Sequence, residues 1–213
     1  MSCCQCQGIE SEFNQKHARK ELKKYRRKGP SKTTRMLLAA LKAEGVKDLD
    51  LLDIGGGVGT IQHELIKAGV GKAVNVDASG AYSEAAKEEA RRQGHADKIS
   101  FYHGDFVALA PKVPAVDVVT LDRVICCYHD MEALVGLSAE RAGKLYGAVY
   151  PRDVWWVKIV FTALNFFLTI FRRDFRAFVH PTAKVEALLR KNGFLQKKYY
   201  GASGPWQVMV FGK

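Results

Sequence analysis

Two periods of apolar residues alternate along most of this chain. Short, mainly apolar runs occupy residues 49–54, 73–76, 99–103, 116–121 and 145–150, and read as buried strands. Between them lie segments whose apolar positions return every three or four residues. These read as helices: one from a glycine-rich turn through residue 67, then 79–93, 131–142, 154–171 and 182–192. Gly193 stops the last helix, and two strands, 195–200 and 207–211, close the chain around a Gly-Pro turn. Before residue 49 the pattern is helical. Residues 12–28 lean Phe13, Ala18, Leu22 and Tyr25 to one side and break at Gly29-Pro30; Ser31 caps a second helix with Met36, Leu37, Ala40 and Leu41 that stops at Gly45.

Strands alternating with helices predict an α/β fold, a mostly parallel seven-stranded sheet covered on both faces, with a terminal antiparallel strand. We expect one domain in two parts: a basic helical cap over residues 1–45 and a core over 46–213. The 213 residues suit a domain of that size.

Residues 154–171 change that picture. They are nearly all apolar, broken by Lys158 and Asn165, and close to the shortest length that spans a bilayer. Their place after the fifth strand predicts a buried helix or pocket lid instead. Arg172, Arg173 and Arg176 follow and keep peripheral membrane contact open.

The net charge of +11 is concentrated between residues 16 and 35, where ten Lys and Arg face only Glu21. Such a segment attracts nucleic acid, anionic lipid or an acidic small molecule, or is a solvated helix face. Residues 1–8 lack a secretory pattern, so the thiols of Cys3, Cys4, Cys6, Cys126 and Cys127 are expected to be reduced and the chain cytoplasmic, with membrane association open. The cysteine spacing is not a standard zinc pattern, and no metal is expected.

The strongest motif is Leu51-Leu52-Asp53-Ile54-Gly55-Gly56-Gly57-Val58-Gly59. A strand delivers glycines to the sheet edge where α/β folds bind cofactors. The dinucleotide spacing G-x-G-x-x-G fails from either Gly55 or Gly57, which disfavours NAD. Two more carboxylates end strands in register: Asp77 after Val74-Asn75-Val76, and Asp105 in His103-Gly104-Asp105-Phe106. A carboxylate at the first place can accept from ribose hydroxyls.

Together these residues resemble the class I methyltransferases that bind S-adenosylmethionine (SAM). The resemblance implies a Rossmann-like fold and a SAM site of Asp53, Gly55, Gly57, Gly59, Asp77, Asp105, Phe106 and Leu121. In it Asp105 would hold the adenine amino group, and the Leu121 backbone would face the methionine part. More closely, the chain resembles magnesium-protoporphyrin IX O-methyltransferases. Phe13-Asn14 and the following basic helix, the run Val119 to Tyr128, Tyr150-Pro151-Arg152, and Val179-His180 ahead of Lys191-Asn192-Gly193-Phe194 carry this likeness. The Cys3-Cys4-Gln5-Cys6 opening and the Cys126-Cys127 pair depart from it.

That likeness implies methyl transfer to a small apolar or carboxylate-bearing molecule, with His180, Arg123 and Tyr128 as candidate catalytic residues. His180 and His129 could serve as a base toward a hydroxyl. Arg123 could pair with an acceptor carboxylate, or simply with Asp122. Trp155, Trp156, Phe166 and Phe167 suit a flat apolar acceptor, and equally a core. Two other readings compete: a SAM-binding accessory protein without catalysis, and an RNA methyltransferase suggested by the basic helix. No motif for amino-group methylation of bases is present, so nucleic acid is disfavoured. The oligomeric state is left open.

Overall fold

The structure is a computed structural model that describes residues 4–201 and 204–213, without the side chains of 4–7 and 198–201. Cys3 and the side chains of Cys4 and Cys6 thus lie outside the described residues. Three helices come first: α1 (Cys4–Glu12), α2 (Gln15–Lys28) and α3 (Lys32–Glu44). The alternating part follows as β1 (Leu51–Ile54), α4 (Thr60–Ile66), β2 (Ala73–Asp77), α5 (Gly80–Gln93), β3 (Ile99–His103), α6 (Phe106–Leu109) and β4 (Val116–Asp122). It continues with α7 (Met131–Glu140), β5 (Ala142–Pro151), α8 (Trp155–Ile170), α9 (Thr182–Lys191), β6 (Leu195–Gly201) and β7 (Trp206–Gly212).

The seven strands form one sheet in the order β3-β2-β1-β4-β5-β7-β6. Strands β1 to β5 are parallel, and β7 runs antiparallel between β5 and β6. The expected fold class is therefore the one formed, with the last strand of the chain inserted inside the edge. Local chemistry sets the helix starts. The side chains of Asn14, Ser31 and Ser79 each accept backbone amides at the entry to α2, α3 and α5.

Strand residues alternate between two cores. Leu52, Ile54, Val119, Leu121, Tyr146 and Phe211 face α7 and α9; Leu51, Val118, Leu145, Val149 and Val210 face α3, α4 and α5. Helix α3 belongs to the second core. Its Leu37 sits so close to β5 that a Cβ on Gly147 would approach Leu37 Cδ1 to 2.7 Å.

Three expectations need correction. Helix α1 and the short α6 were not foreseen. Helix α7 ends at Glu140, and β5 begins at Ala142 rather than 145. The third concerns α8, which is not a buried helix: only Val157 and Phe161 are buried, and its outer face is exposed. Among the described residues, no helix is long and apolar enough to cross a membrane.

Candidate functional site

Strand β1 delivers the chain into the glycine turn at the C-terminal edge of the sheet. Gly55 and Gly57 hold φ of 61° and 56°, the left-handed region that costs other residues about 1–2 kcal/mol. Their surroundings differ. A Cβ on Gly55 would come within 2.3 Å of Val124 Cγ2, whereas one on Gly57 would meet nothing nearer than Tyr82 at 3.6 Å. Gly57 therefore presents bare backbone to open space, as close approach to a ligand requires.

That space is a pair of adjoining cavities. The inner one, of 380 Å³, is lined by Gly55, Gly57, Asp77, Asp105, Phe106 and Tyr128, and also by Cys126, Cys127 and Trp206. The outer one, of 530 Å³, lies under α2 and α3 and is rimmed by Lys20, Lys24, Ser31 and Thr34. Both touch Phe13, Glu21, Gly55, Gly57, Tyr82, Asp122, Arg123, Leu164 and Phe175. Volumes of this size are typical of small-molecule sites.

Two predicted carboxylates meet in the inner cavity. Asp77 Oδ2 accepts the Gly57 amide at 2.9 Å, and Oδ1 accepts that of Ser79 at 2.8 Å. Burial pushes its carboxyl up to about 6, against the pull of these two amides. Asp105 caps α6 through the Val107 amide at 3.0 Å and accepts the Tyr128 hydroxyl at 2.9 Å. Each carboxylate keeps lone pairs for a further donor.

Asp53 is placed differently. Its carboxylate lies under the turn, where it accepts Thr120 Oγ1 at 2.7 Å and Gln62 Nε2 at 3.0 Å. Burial drives it up to about 7, although both hydrogen bonds oppose this. It borders the outer cavity only. Gly59 starts α4 at φ 82° and lines neither cavity. Leu121 also lines neither: its side chain is in the core, and it sits in register between Ile54 and Ala148.

Beyond β4 the chain turns sharply. Arg123 holds φ 63°, a strained value for arginine, and its amide donates to Val149 O at 2.7 Å. Its carbonyl accepts both Cys126 Sγ and Cys127 Sγ at 3.3 Å, and both residues line the inner cavity. The guanidinium Nη2 donates to Ser31 Oγ at 2.5 Å and Thr33 Oγ1 at 2.8 Å, and its Cζ lies 5.4 Å from the Trp206 ring centre. Asp122 beside it accepts Thr34 Oγ1 at 2.6 Å, and its other oxygen lies 3.6 Å from Arg123 Nε, the ion pair that the sequence left open for this arginine. Burial shifts the Asp122 carboxyl upward, with Arg123 opposing.

Of the three candidate catalytic residues, Arg123 and Tyr128 line the inner cavity and His180 does not. His180 Nε2 instead meets Tyr128 O at 2.8 Å, and its ring stacks on Phe178 at 5.7 Å. Burial pulls its pKa down. His129 is exposed and stacks on Tyr128. Among the described residues no group of His, Cys, Asp and Glu gathers in a metal-binding cluster.

Sequence reasoning missed Glu21, Tyr82, Phe175 and Trp206 as lining residues, and named neither Phe161 nor Leu164 within the segment expected as a pocket lid. Glu21 alone left a signal, as the single acid in a run of ten cations. In the structure it touches both cavities and accepts the Tyr82 hydroxyl at 2.8 Å.

These residues fit the nucleoside and amino-acid parts of SAM. Adjacent strand ends offer two carboxylates, and the Gly57 backbone is uncovered.

Comparison with known proteins agrees. The family model described as a methyltransferase domain matches residues 51–141. No curated protein matches the sequence. Among solved structures, the magnesium protoporphyrin IX methyltransferase of Synechocystis PCC 6803 with bound SAH is 18% identical. The match covers 96% of this chain and 98% of that one, with a TM-score of 0.74. The same enzyme with bound SAM gives 19% identity, coverage of 85% and 78%, and a TM-score of 0.66. An O-methyltransferase family protein of Burkholderia thailandensis gives 15% identity, coverage of 84% and 56%, and a TM-score of 0.64. At these identities the structural likeness concerns the fold. Residues 51–141 thus match a methyltransferase domain, and with the sheet order and the glycine turn the chain reads as a SAM-dependent methyltransferase, similar in fold to the magnesium protoporphyrin IX enzyme.

Proposed function

We propose that the chain transfers the methyl group to a small, largely apolar molecule bearing a carboxylate, a porphyrin propionate being the first acceptor to test. The junction of the two cavities carries this reading. At Gly55, Gly57, Asp122 and Arg123 a carboxylate-lined cavity meets one rimmed by Lys20 and Lys24. A cofactor on the first side and an acceptor anion on the second would share that boundary.

In this reading Asp77 takes the ribose hydroxyls on lone pairs that its two amide bonds leave free. Asp105, aligned by the Tyr128 hydroxyl, takes the adenine edge, with Phe106 beside it. Bound SAM supplies an electrophilic methyl on a sulfonium centre. A carboxylate acceptor is already ionised at neutral pH, so no general base is needed. The protein aligns the two groups and keeps water out, with Phe13, Phe161, Leu164 and Phe175 closing the apolar side. Arg123 and His180 then act as positioning residues. The first ties α3 to the end of β4, and the second holds the backbone at Tyr128.

The test is methyl transfer from labelled SAM to magnesium-protoporphyrin IX, with Asp77→Ala as control. Transfer by the native protein and not by the variant supports the reading. Tight SAM binding without transfer to this or other apolar carboxylates, esters forming on none, overturns it.

A further inference from the structure

Helix α8 leaves a large apolar face uncovered. Trp155, Phe166 and Phe171 are 74%, 62% and 71% exposed, and Ile159, Phe167 and Ile170 lie on the same helix with more than half their surface open. A helix that packs only on its own protein has polar residues outside. Here the inner stripe of Val157, Phe161, Leu164 and Leu168 is apolar, and so is nearly everything else. Of its four polar residues, Thr162 and Thr169 are exposed, and the other two have local duties. Lys158 pairs with Asp153 at 2.7 Å, and Asn165 pins the returning strand of chain through both the amide and the carbonyl of Ala177. Neither covers the exposed side.

Charge indicates what does. The C-terminal end of the helix runs into Arg172 and Arg173, both exposed, and Lys158 lies near the other end. The acids nearby are few: Asp153 is held by Lys158, Glu12 lies 3.9 Å from Arg173, and Asp174 is exposed. Exposed Lys20 and Lys24 on α2 face Leu164 and Leu168 of α8 across the mouth of the outer cavity. Aromatic and aliphatic side chains flanked by cations, on a helix too short to span, are the chemistry of a surface-lying membrane helix.

We propose that α8 seats this protein on the surface of an anionic lipid bilayer. Ile159, Phe166, Phe167, Ile170 and Phe171 enter the acyl boundary, and Arg172 and Arg173 meet the headgroups. The cavity mouth between α2 and α8 then lies beside the lipid, so an apolar acceptor reaches it without crossing water. That last clause rests on the proposed acceptor class; the docking itself does not.

Flotation with phosphatidylcholine vesicles, with and without phosphatidylglycerol, tests this. The native protein should float with the anionic vesicles and bind the neutral ones more weakly. Phe166→Glu with Phe167→Glu should lower the partition about tenfold or more, because two buried aromatic rings become two charges. Arg172→Glu with Arg173→Glu should abolish the preference for anionic lipid. None of these residues lines either cavity, so unchanged SAM binding certifies that each variant is folded. A native protein that stays in solution with both vesicles overturns the proposal. So does a stable dimer, seen by light scattering, that the Phe166/Phe167 variant dissolves while vesicles bind neither form. Vesicle binding needs no acceptor, so this outcome is independent of the methyl-transfer assay.

Discussion

The carboxylate of Asp77 accepts the amide of Gly57 at 2.9 Å, so the end of β2 holds the turn that leaves β1. One residue thereby shapes the glycine loop and offers the free acceptors a ribose needs. Asp77→Asn is expected to weaken SAM affinity about 10- to 100-fold, the scale of losing charge-assisted hydrogen bonds. Calorimetric titration measures it, and a melting curve separates turn disruption from ligand loss.

The same carboxyl gives binding a pH dependence. In the free protein it titrates at about 6, so it is charged above that and neutral below. Affinity should be flat in mildly alkaline buffer and fall as pH drops through that value, whereas Asp77→Asn should lack the step. Equal affinity for the native protein on both sides of the step would show that Asp77 does not contact the ligand.

Asp53 predicts a different pH effect, on stability. Its folded carboxyl, at about 7, lies above the value of about 3.9 in the unfolded chain. The folded state holds the proton more tightly, so this stabilisation is complete below about 3.9 and is lost as pH rises through about 7. Asp53→Asn removes that loss. The Tm of the variant relative to the native protein should therefore rise by a few degrees between mildly acidic and mildly alkaline buffer. A constant difference would contradict the assignment. Gln62 can turn its unpartnered oxygen to accept the new amide.

The two glycines should separate folding from binding. Gly55→Ala meets Val124 at 2.3 Å as well as the left-handed strain, and should cost about 2–4 kcal/mol of stability. Gly57→Ala carries the strain alone and should cost about 1–2 kcal/mol, but with its methyl in the cavity it should weaken SAM about tenfold or more. Denaturant unfolding and titration on both variants give the four numbers.

Arg123 and Asp122 fasten the entry of α3 to the core through Ser31, Thr33 and Thr34. Arg123→Met should lower stability by about 1–3 kcal/mol, because hydroxyls and a carboxylate lose a charged partner. Removing the residues before Gly29 should raise the SAM dissociation constant, since Phe13 and Glu21 line both cavities. Unchanged affinity in the truncated chain would reject a covering role for α1 and α2.

His180→Gln distinguishes a base from a positioning residue. Held against Tyr128 O and outside both cavities, it should lower Tm slightly and leave kcat within about threefold, with no change in the pH profile. Loss of an acidic limb in that profile would restore it as a base.

The elements themselves were legible along the chain. Local periodicity shows in every strand from β1 to β7, and the cap at Ser31 shows in the residues around it, because these depend on neighbours within a few residues. Asp77, Asp105 and the glycines were legible for the same reason: each sits at a strand end, where topology forces it to the binding edge. The boundary between α7 and β5 was not. Its residues suit either state, and pairing with β4 decides it, from Val116 opposite Ala142 onward.

Distance in sequence hid the rest. Asp53 and Asp77 look alike as strand-end acids, yet the pleat turns one toward Gln62 and Thr120 and the other toward the cavity. Nothing local tells Arg123 that Ser31 and Thr33 wait across the fold, or His180 that a carbonyl at Tyr128 will take its ring nitrogen. The sequence shows that residues 154–171 are apolar; only the packing decides that one stripe faces the cavities and the remainder faces outward. Periodicity reports which faces of an element are apolar. Which of them the protein covers depends on contacts between residues far apart in the chain.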